Sequence, residues 1–455
     1  MHTHRNVLET IGQTPLVEIS KLDTGPCKLF LKLESQNPTG SIKDRIGLSL
    51  IEAAERDGKI QPGGTLIEAT AGNTGLGLAL VAAQKGYKLI LVIPDKMAQE
   101  KILHLQALGA DTRITRSDVG KGHPDYYQDV AERLAAEIPN SFYVNQFANP
   151  ANPFAHEATT GPEIWAQMEQ MVDAVVVGVG SGGTLTGLAR YFNRVAPHVE
   201  MVLADPKGSI LKGLVEDGKM RKPGSWLVEG IGEDFVPPNC ELEHVRHAYE
   251  VSDGESFFAA RELLAKEGLL GGSSTGTLLA AALRYCREQT APKRVVSFVC
   301  DSGNKYLTKM YNDHWMFQQG LLDRPQHGNL VDLIVRRYQE GSTVTLAPTD
   351  SLMQAYRRMT LFDISQLPVM EGKELVGLLD ESDLMLHVQQ DPKRFDDPVS
   401  TAMVAKVETI ASDAPVSELL PIFQRDHVAV VKDADGFVGL ITRIDLLNYL
   451  RKQLN

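Results

Sequence analysis

Three glycine- and hydroxyl-rich segments carry residue types that can do chemistry. The densest is Gly178-Val179-Gly180-Ser181-Gly182-Gly183-Thr184, directly after the β-branched run Ala174 to Val177 and ahead of a helical pattern from Leu185 to Val195. Glycines let backbone N–H groups approach a phosphate closely, and a helix N-terminus adds partial positive charge. Gly178, Gly180 and Gly183 also satisfy GxGxxG, with Asp205 at the end of the next strand pattern. On this segment alone a dinucleotide reading and a phosphate-cofactor reading stand level. The second segment is Glu68-Ala69-Thr70-Ala71-Gly72-Asn73-Thr74-Gly75. Its donors at a helix start suit a small carboxylate, and Thr70 or Asn73 would serve equally as a plain N-cap. In the third, Lys43 follows the turn-rich stretch Asn37-Pro38-Thr39-Gly40-Ser41 and opens a helical pattern running to Arg56. A lysine at a helix start is ordinarily a solvated charge that the helix dipole mildly disfavours. Loops at the ends of parallel strands, however, are where α/β proteins place ligands.

The elements that must position these segments are legible as alternating patterns. Leu29–Leu33, Thr65–Ala69, Leu89–Ile93, Ala174–Val177, Met201–Ala204 and Val295–Val299 read as strands. Continuous apolar runs of this length suit strands buried on both faces, hence a mostly parallel sheet wrapped by helices: an α/β body. The tail differs. Gly377-Leu378-Leu379-Asp380-Glu381-Ser382-Asp383-Leu384 is echoed 62 residues later by Gly439-Leu440-Ile441-Thr442-Arg443-Ile444-Asp445-Leu446, each after a strand-like run and each entering a helix. Such a repeat indicates a tandem α+β module. The spacing predicts a body over 1–322, a linker over 323–340 around the loop-like Asp323 to Asn329, and a tandem module over 341–455, with repeats at about 341–392 and 398–455.

A length of 455 residues implies more than one core. Hydrophobic residues at 43% and charged residues at 23% give the balance of a soluble globular protein. The net charge of −12 argues against general affinity for nucleic-acid phosphates, and no apolar run is long enough to cross a bilayer. Cys27, Cys240, Cys286 and Cys300 form no CxxC and fit a reducing cytoplasm as small buried hydrophobes, so neither a disulfide framework nor a metal site is expected.

Taken together, several motifs resemble the fold-type II pyridoxal-phosphate family of cystathionine β-synthase and cysteine synthase, across nearly all of residues 6–318. They are Gly12-Gln13-Thr14-Pro15-Leu16, Ser41-Ile42-Lys43-Asp44-Arg45, Gly72-Asn73-Thr74-Gly75, Asn149-Pro150-Ala151-Asn152-Pro153, the phosphate loop, Glu229-Gly230-Ile231-Gly232 and Asp301-Ser302-Gly303-Asn304-Lys305-Tyr306. The resemblance implies a two-subdomain, tryptophan synthase β-like parallel-sheet core. It implies that Lys43 holds pyridoxal 5′-phosphate as a Schiff base and moves the α-proton, which suits an amine kept neutral by desolvation. Gly180, Ser181, Gly182, Gly183 and Thr184 would cradle the phosphate, Asn73 would hydrogen-bond the phenolic oxygen, and Ser302 would face the pyridine nitrogen. A hydroxyl there leaves the ring unprotonated, which favours loss of a β-substituent and addition of a thiol. Thr70, Ala71, Gly72, Thr74 and Gln146 would hold the substrate carboxylate. A nicotinamide dehydrogenase would leave the Lys43 and Asn73 loops unexplained, and an inactive sensing body would leave a chemically competent set of residues unused.

The implied reaction is β-replacement on serine or an O-activated serine. Within the family, Glu229 stands where cysteine synthases usually carry Gln, and a tandem tail is typical of cystathionine β-synthases. Both lean toward homocysteine as the thiol, with hydrogen sulfide release from cysteine as a related reaction and sulfide plus O-acetylserine as the alternative. Glu229, Gly230 and Glu233 would border the incoming thiol. Within the family, Ala71 stands where many relatives have Ser, and Phe147 and Glu233 stand where animal members have Tyr; Glu233 could instead attract the ammonium of homocysteine. No counterpart of the haem-binding extension of animal members precedes the first motif, so haem is not expected. The tail resembles a pair of CBS motifs, a Bateman module. Thr442 and Asp445 match the pattern that holds the ribose of an adenosyl ligand, whereas Asp380 and Asp383 lack the hydroxyl. The expected ligand is therefore S-adenosylmethionine or AMP at one site, with a purely structural module as the other reading. The family suggests a homodimer or homotetramer.

Overall fold

The structure, a computed structural model, describes residues 3–70, 72–95, 99–120, 122–389 and 391–452. The chain divides into two compact units, Met1–Tyr311 and Asn312–Asn455.

Among the described residues the first unit holds ten strands: β1 (Leu16–Glu18), β2 (Lys28–Lys32), β3 (Thr65–Glu68), β4 (Lys88–Pro94), β5 (Asp111–Thr115), β6 (Ser141–Tyr143), β7 (Ala174–Val177), β8 (Glu200–Pro206), β9 (Val245–Val251) and β10 (Arg294–Phe298). They form a six-stranded sheet in the order β1-β2-β10-β7-β8-β9 and a four-stranded sheet in the order β5-β4-β3-β6. Every pairing is parallel except β1 with β2. The central strands β3 and β7 are buried along their whole length, as apolar runs covered by helices on both faces must be. In the large sheet β2, β10 and β7 are neighbours, so the loops leaving their carboxyl ends converge. Those loops carry Lys43, Cys300 to Ser302 and Gly178 to Thr184. They are stitched together by Ile42 N–H to Cys300 O (2.9 Å) and Ser302 N–H to Gly40 O (3.0 Å).

Two helix starts are brought together by glycine. The helix Lys43–Arg56 crosses the helix Asn73–Lys85 where Gly47 meets Gly77. A Cβ on Gly77 would lie 2.6 Å from the carbonyl oxygen of Lys43, so only hydrogen permits this approach.

The second unit holds β11 (Gln366–Glu371) paired antiparallel with β12 (Glu374–Asp380), and β13 (Thr409–Ala411), β14 (Ala429–Asp433) and β15 (Gly436–Ile441) in one sheet. Both hairpins carry a bulge at the equivalent place, after Val369↔Gly377 and after Val431↔Gly439. Each repeat has its own core. The expected linker is not free. Leu330, Val331, Leu333 and Ile334 are buried in the core of the second repeat, and Val399 is buried in that of the first. Each repeat is thus completed by the segment preceding the other. The second compact unit begins at Asn312.

Candidate active site

Lys43 is the first residue of its helix, with its N–H donated to Ser41 Oγ (3.2 Å). The next two residues anchor it. Asp44 accepts from Thr39 N–H (2.7 Å) and from the Thr39 hydroxyl, and burial pushes its carboxyl up to about 6. Arg45 is buried against Glu34 (2.8 Å) and Glu163 (2.7 Å), and Glu163 also takes the buried amine of Lys32 (2.8 Å). Such a network costs desolvation on every member and fixes geometry in return. Lys43 is itself partly buried. Burial lowers its pKa, with Cys300 and Asp301 pulling weakly the other way. An amine so placed reaches its neutral, nucleophilic form more readily than a surface lysine.

Lys43, Asn73, Gly178, Gly180 to Thr184, Glu229 and Gly230 all line one cleft. One end of it is the N-terminus of the helix Gly183–Val195, capped by Gly182 with φ +85° and by no side-chain hydrogen bond, a geometry that favours an anion. A Cβ on Gly183 would collide with Asn152. Two buried or part-buried hydroxyls complete the cradle. Ser181 Oγ accepts from Asn152 Nδ2 (2.8 Å), and Thr184 Oγ1 meets His156 Nε2 (3.2 Å). His156 is held neutral by burial, aided by the charges of Lys43 and Arg45. Among the described residues, Lys43 is the only cationic side chain lining this cleft. Uncapped N–H groups, two hydroxyls and a facing amine fit a phosphate ester that also carries an aldehyde.

Asn73 opens the helix Asn73–Lys85, which likewise lacks a side-chain cap. Its Nδ2 donates to Asp301 Oδ2 (2.8 Å) and its Oδ1 accepts from Lys305 Nζ (2.6 Å). Beside it Thr70 Oγ1 accepts from Gly72 N–H (3.1 Å), and the Thr74 hydroxyl donates to Gln146 Oε1 (2.6 Å). The structure thus brings Thr70, Gly72, Thr74 and Gln146 to one helix N-terminus, where a carboxylate is favoured. Ala71 lies outside the described residues. Glu68, fully buried at the end of β3, fixes this corner by accepting from Gln146 N–H (3.2 Å) and Ala69 N–H (3.1 Å), and burial raises its carboxyl to about 7.

At the lip, Glu229 pairs with Lys309 (2.6 Å) and with Lys101, so its carboxylate bridges two amines rather than facing the cleft alone. Gly232 N–H donates to Val179 O (2.8 Å), which ties the Glu229–Gly232 loop to the phosphate loop. Glu233 is partly buried beside Asp205 and Asp234. Burial, then those charges, raises it to about 8. Phe147 meets Phe235 with ring centres 5.7 Å apart.

Ser302 stands apart from the lysine cleft. Its Oγ accepts from Asn304 N–H (3.3 Å) as a turn cap, and it lines a neighbouring cleft with Gly40, Asn73, Lys101, His104 and Lys305. Ser274 and Cys300 line the lysine cleft instead, and Ser273 Oγ beside them accepts from Glu229 N–H (2.9 Å). Sequence reasoning passed over both serines, although Gly271-Gly272-Ser273-Ser274-Thr275-Gly276 has the same composition as the other two loops. Of the cysteines, Cys27 and Cys286 are buried, and Cys240 and Cys300 are only partly so. Asp205 does not face a dinucleotide site. Its Oδ2 accepts from Lys212 N–H (2.8 Å) at the start of the helix Leu211–Asp217, which removes the support for that reading.

In the second unit, Thr442 and Asp445 line a pocket of about 520 Å³ with Arg336, Thr343, Asp363 and Ser365. Thr442 donates both N–H (2.8 Å) and hydroxyl (2.6 Å) to Asp445 Oδ2. In the first repeat Asp380 and Asp383 cap each other reciprocally, at 2.8 and 3.1 Å, and neither lines this pocket.

Comparison with known proteins agrees with this geometry. The pyridoxal-phosphate dependent enzyme family matches residues 7–301, and the CBS domain matches twice, over 335–390 and 399–452. The chain is 37% identical to cystathionine β-synthase of Dictyostelium discoideum, over 98% of this chain and 92% of that protein. It is 33% identical to that of Saccharomyces cerevisiae over 98% of both. Cysteine synthase A of Escherichia coli is 39% identical, over 66% of this chain and 92% of that protein. A solved hydrogen sulfide-producing enzyme from Fusobacterium nucleatum is similar with a TM-score of 0.62 and 36% identity, covering 67% of this chain and all of that one. No helix among the described residues is long and apolar enough to cross a membrane. With these relatives along nearly its whole length, the chain belongs to the pyridoxal-phosphate dependent enzymes of the cystathionine β-synthase family.

Proposed function

We propose that the enzyme condenses L-serine, or an O-activated serine, with L-homocysteine to give L-cystathionine. The observation that carries the β-replacement chemistry is that Lys43 and the phosphate cradle share one cleft with the Asn73 helix start. Pyridoxal phosphate, when bound, supplies the electron sink that lets the Cα–H bond break and the β-substituent leave. The phosphate is held by Gly180 to Thr184, and the phenolic oxygen by Asn73. The ring nitrogen is assigned to the hydroxyl of Ser274 rather than to Ser302, because Ser274 lines the lysine cleft and Ser302 the neighbouring one. Thr70, Gly72, Thr74 and Gln146 orient the substrate carboxylate. Lys43 Nζ, kept basic yet readily neutral, takes the proton from the substrate Cα and returns it after thiol addition. Glu233 receives the ammonium of the incoming homocysteine, an approach that favours its ionised form.

Support for homocysteine is the match to cystathionine β-synthases over 98% of the chain, against 66% for cysteine synthase A. The second reading, sulfide with O-acetylserine, is favoured by the 39% identity over the catalytic region, and the Fusobacterium enzyme raises hydrogen sulfide release from cysteine. Side-by-side turnover with serine or O-acetylserine and with homocysteine or sulfide separates these outcomes. Serine with homocysteine is expected to give the highest kcat/KM, and a preference for sulfide would replace this reading by the second. Lys43→Ala is expected to lower turnover by at least about 10²-fold. Borohydride reduction of the parent holoenzyme is expected to label Lys43, and a labelled lysine elsewhere would overturn the assignment. In the tail, the reading is an adenosyl ligand, S-adenosylmethionine or AMP, held at Thr442 and Asp445.

A further inference from the structure

Lys305 and Asp301 hold opposite ends of one amide. Lys305 Nζ donates to Asn73 Oδ1 at 2.6 Å, and Asn73 Nδ2 donates to Asp301 Oδ2 at 2.8 Å. An ammonium has only donors and a carboxylate only acceptors, so the amide can sit in one orientation alone. Its nitrogen carries two hydrogens, of which Asp301 takes one. Asn73 lines both the lysine cleft and the cleft behind it, in which Lys305 sits. The clamp is rigid on the protein side. Asp301 is buried and also accepts from the Tyr306 hydroxyl (2.8 Å), and its backbone carbonyl takes Gly272 N–H (3.1 Å). Lys305 returns over Asn73 through the short turn Gly303–Tyr306, with its Nζ 3.5 Å from Gly40 O. The carboxylates of Asp301 and Asp44 supply the nearby negative charge.

We propose that Lys305 and Asp301 are positioning residues for the cofactor. Asp301 turns the remaining Nδ2–H of Asn73 into the lysine cleft, and the Lys305 charge on Oδ1 strengthens that donor toward the phenolic oxygen. A cation on an amide oxygen withdraws electron density from its nitrogen and makes the N–H a better donor, an effect that a low local dielectric preserves. The inference rests on the assignment of Asn73 to the phenolic oxygen, and neither Lys305 nor Asp301 touches the substrate in it.

The test uses the full-length holoenzyme and two readouts that need no turnover: the position of the cofactor's visible absorption band and its dissociation constant. Lys305→Met keeps the stem and removes the charge. It is expected to move the band and raise the dissociation constant about tenfold, the scale of one charge-assisted hydrogen bond. Lys305→Arg is expected to keep both near the parent. In an Asn73→Ala background, Lys305→Met should change nothing further. If Lys305→Met does not fold, Lys305→Gln is read in the same way. A parental band and dissociation constant in Lys305→Met, with Asn73→Ala displaced, overturn the clamp and leave the Asn73 assignment standing. An undiminished Lys305→Met effect in the Asn73→Ala background also overturns it. Parental values in Asn73→Ala itself would remove the Asn73 assignment, a failure of the earlier reading that is recognisable as such.

Discussion

Glu233 shares its corner with two other carboxylates, Asp205 and Asp234, and its pKa is raised to about 8, chiefly by burial. A folded-state pKa above the usual carboxylate value means that the folded chain holds this proton where the unfolded chain has lost it. Stability from this group is therefore fully present below about pH 4 and drains away as pH rises to about 8, where the loss is complete. Glu233→Gln stays neutral throughout and lacks that slope. Melting curves should show a gap in favour of Glu233→Gln that opens as pH rises from about 4 to about 8 and is constant above it; a gap independent of pH would remove the assigned protonation. The same side chain marks how far single residues are legible. The sequence shows that Lys43, Asn73 and the glycine loops are chemically competent, because residue type and loop context suffice for that. Which serine faces the lysine cleft is decided by where a turn or a helix begins. Ser302 is spent on capping Asn304 N–H, and Ser274 enters the cleft from the first turn of its helix. The role of Lys305 depends on a contact 232 residues distant in sequence, which local pattern does not encode.

Interior strands announce themselves and edge strands do not. β2, β3, β4, β7, β8 and β10, all legible as apolar runs, occupy inner positions of the two sheets. The four that were not legible, β1, β5, β6 and β9, are the four edges. An edge strand is half solvated, so sequences such as Asp111-Thr112-Arg113-Ile114-Thr115 need no apolar run. The helices that carry Lys43 and Asn73 are placed by an equally quiet signal, the pair Gly47 and Gly77. Gly77→Ala puts a methyl 2.6 Å from the Lys43 carbonyl oxygen. The helices must separate, at a cost of about 1–3 kcal/mol, and the separation displaces Lys43 from Asn73. A lowered melting temperature is expected together with faster loss of cofactor on gel filtration. A Gly77→Ala protein that melts and retains cofactor like the parent would show that the helix crossing does not set the site.

The two units carry different sequence signals, glycine-rich loops in the first and an internal repeat in the second. In the tandem module the repeat is legible from 62-residue self-similarity, whereas the core residues that each repeat takes from the segment preceding the other are not. That exchange makes the pair a single folding unit, so a ligand gripping either repeat stabilises both. The asymmetry between repeats then decides where such a ligand is held. Thr442 and Asp445 line the pocket of this unit, whereas Asp380 and Asp383, which cap each other, do not. S-adenosylmethionine or AMP at a hundredfold excess over its dissociation constant should add about 2.7 kcal/mol of stability to the module transition. Thr442→Val should abolish most of that gain and leave the ligand-free melting nearly unchanged. If the bound ligand also alters serine affinity in the catalytic unit, serine must alter ligand affinity by the same factor, since binding linkage is reciprocal. Calorimetric titration with and without serine measures that factor. A ratio of one with intact ligand binding would assign the module to assembly rather than control, and an unchanged ligand-induced shift in Thr442→Val would move the site away from this pocket.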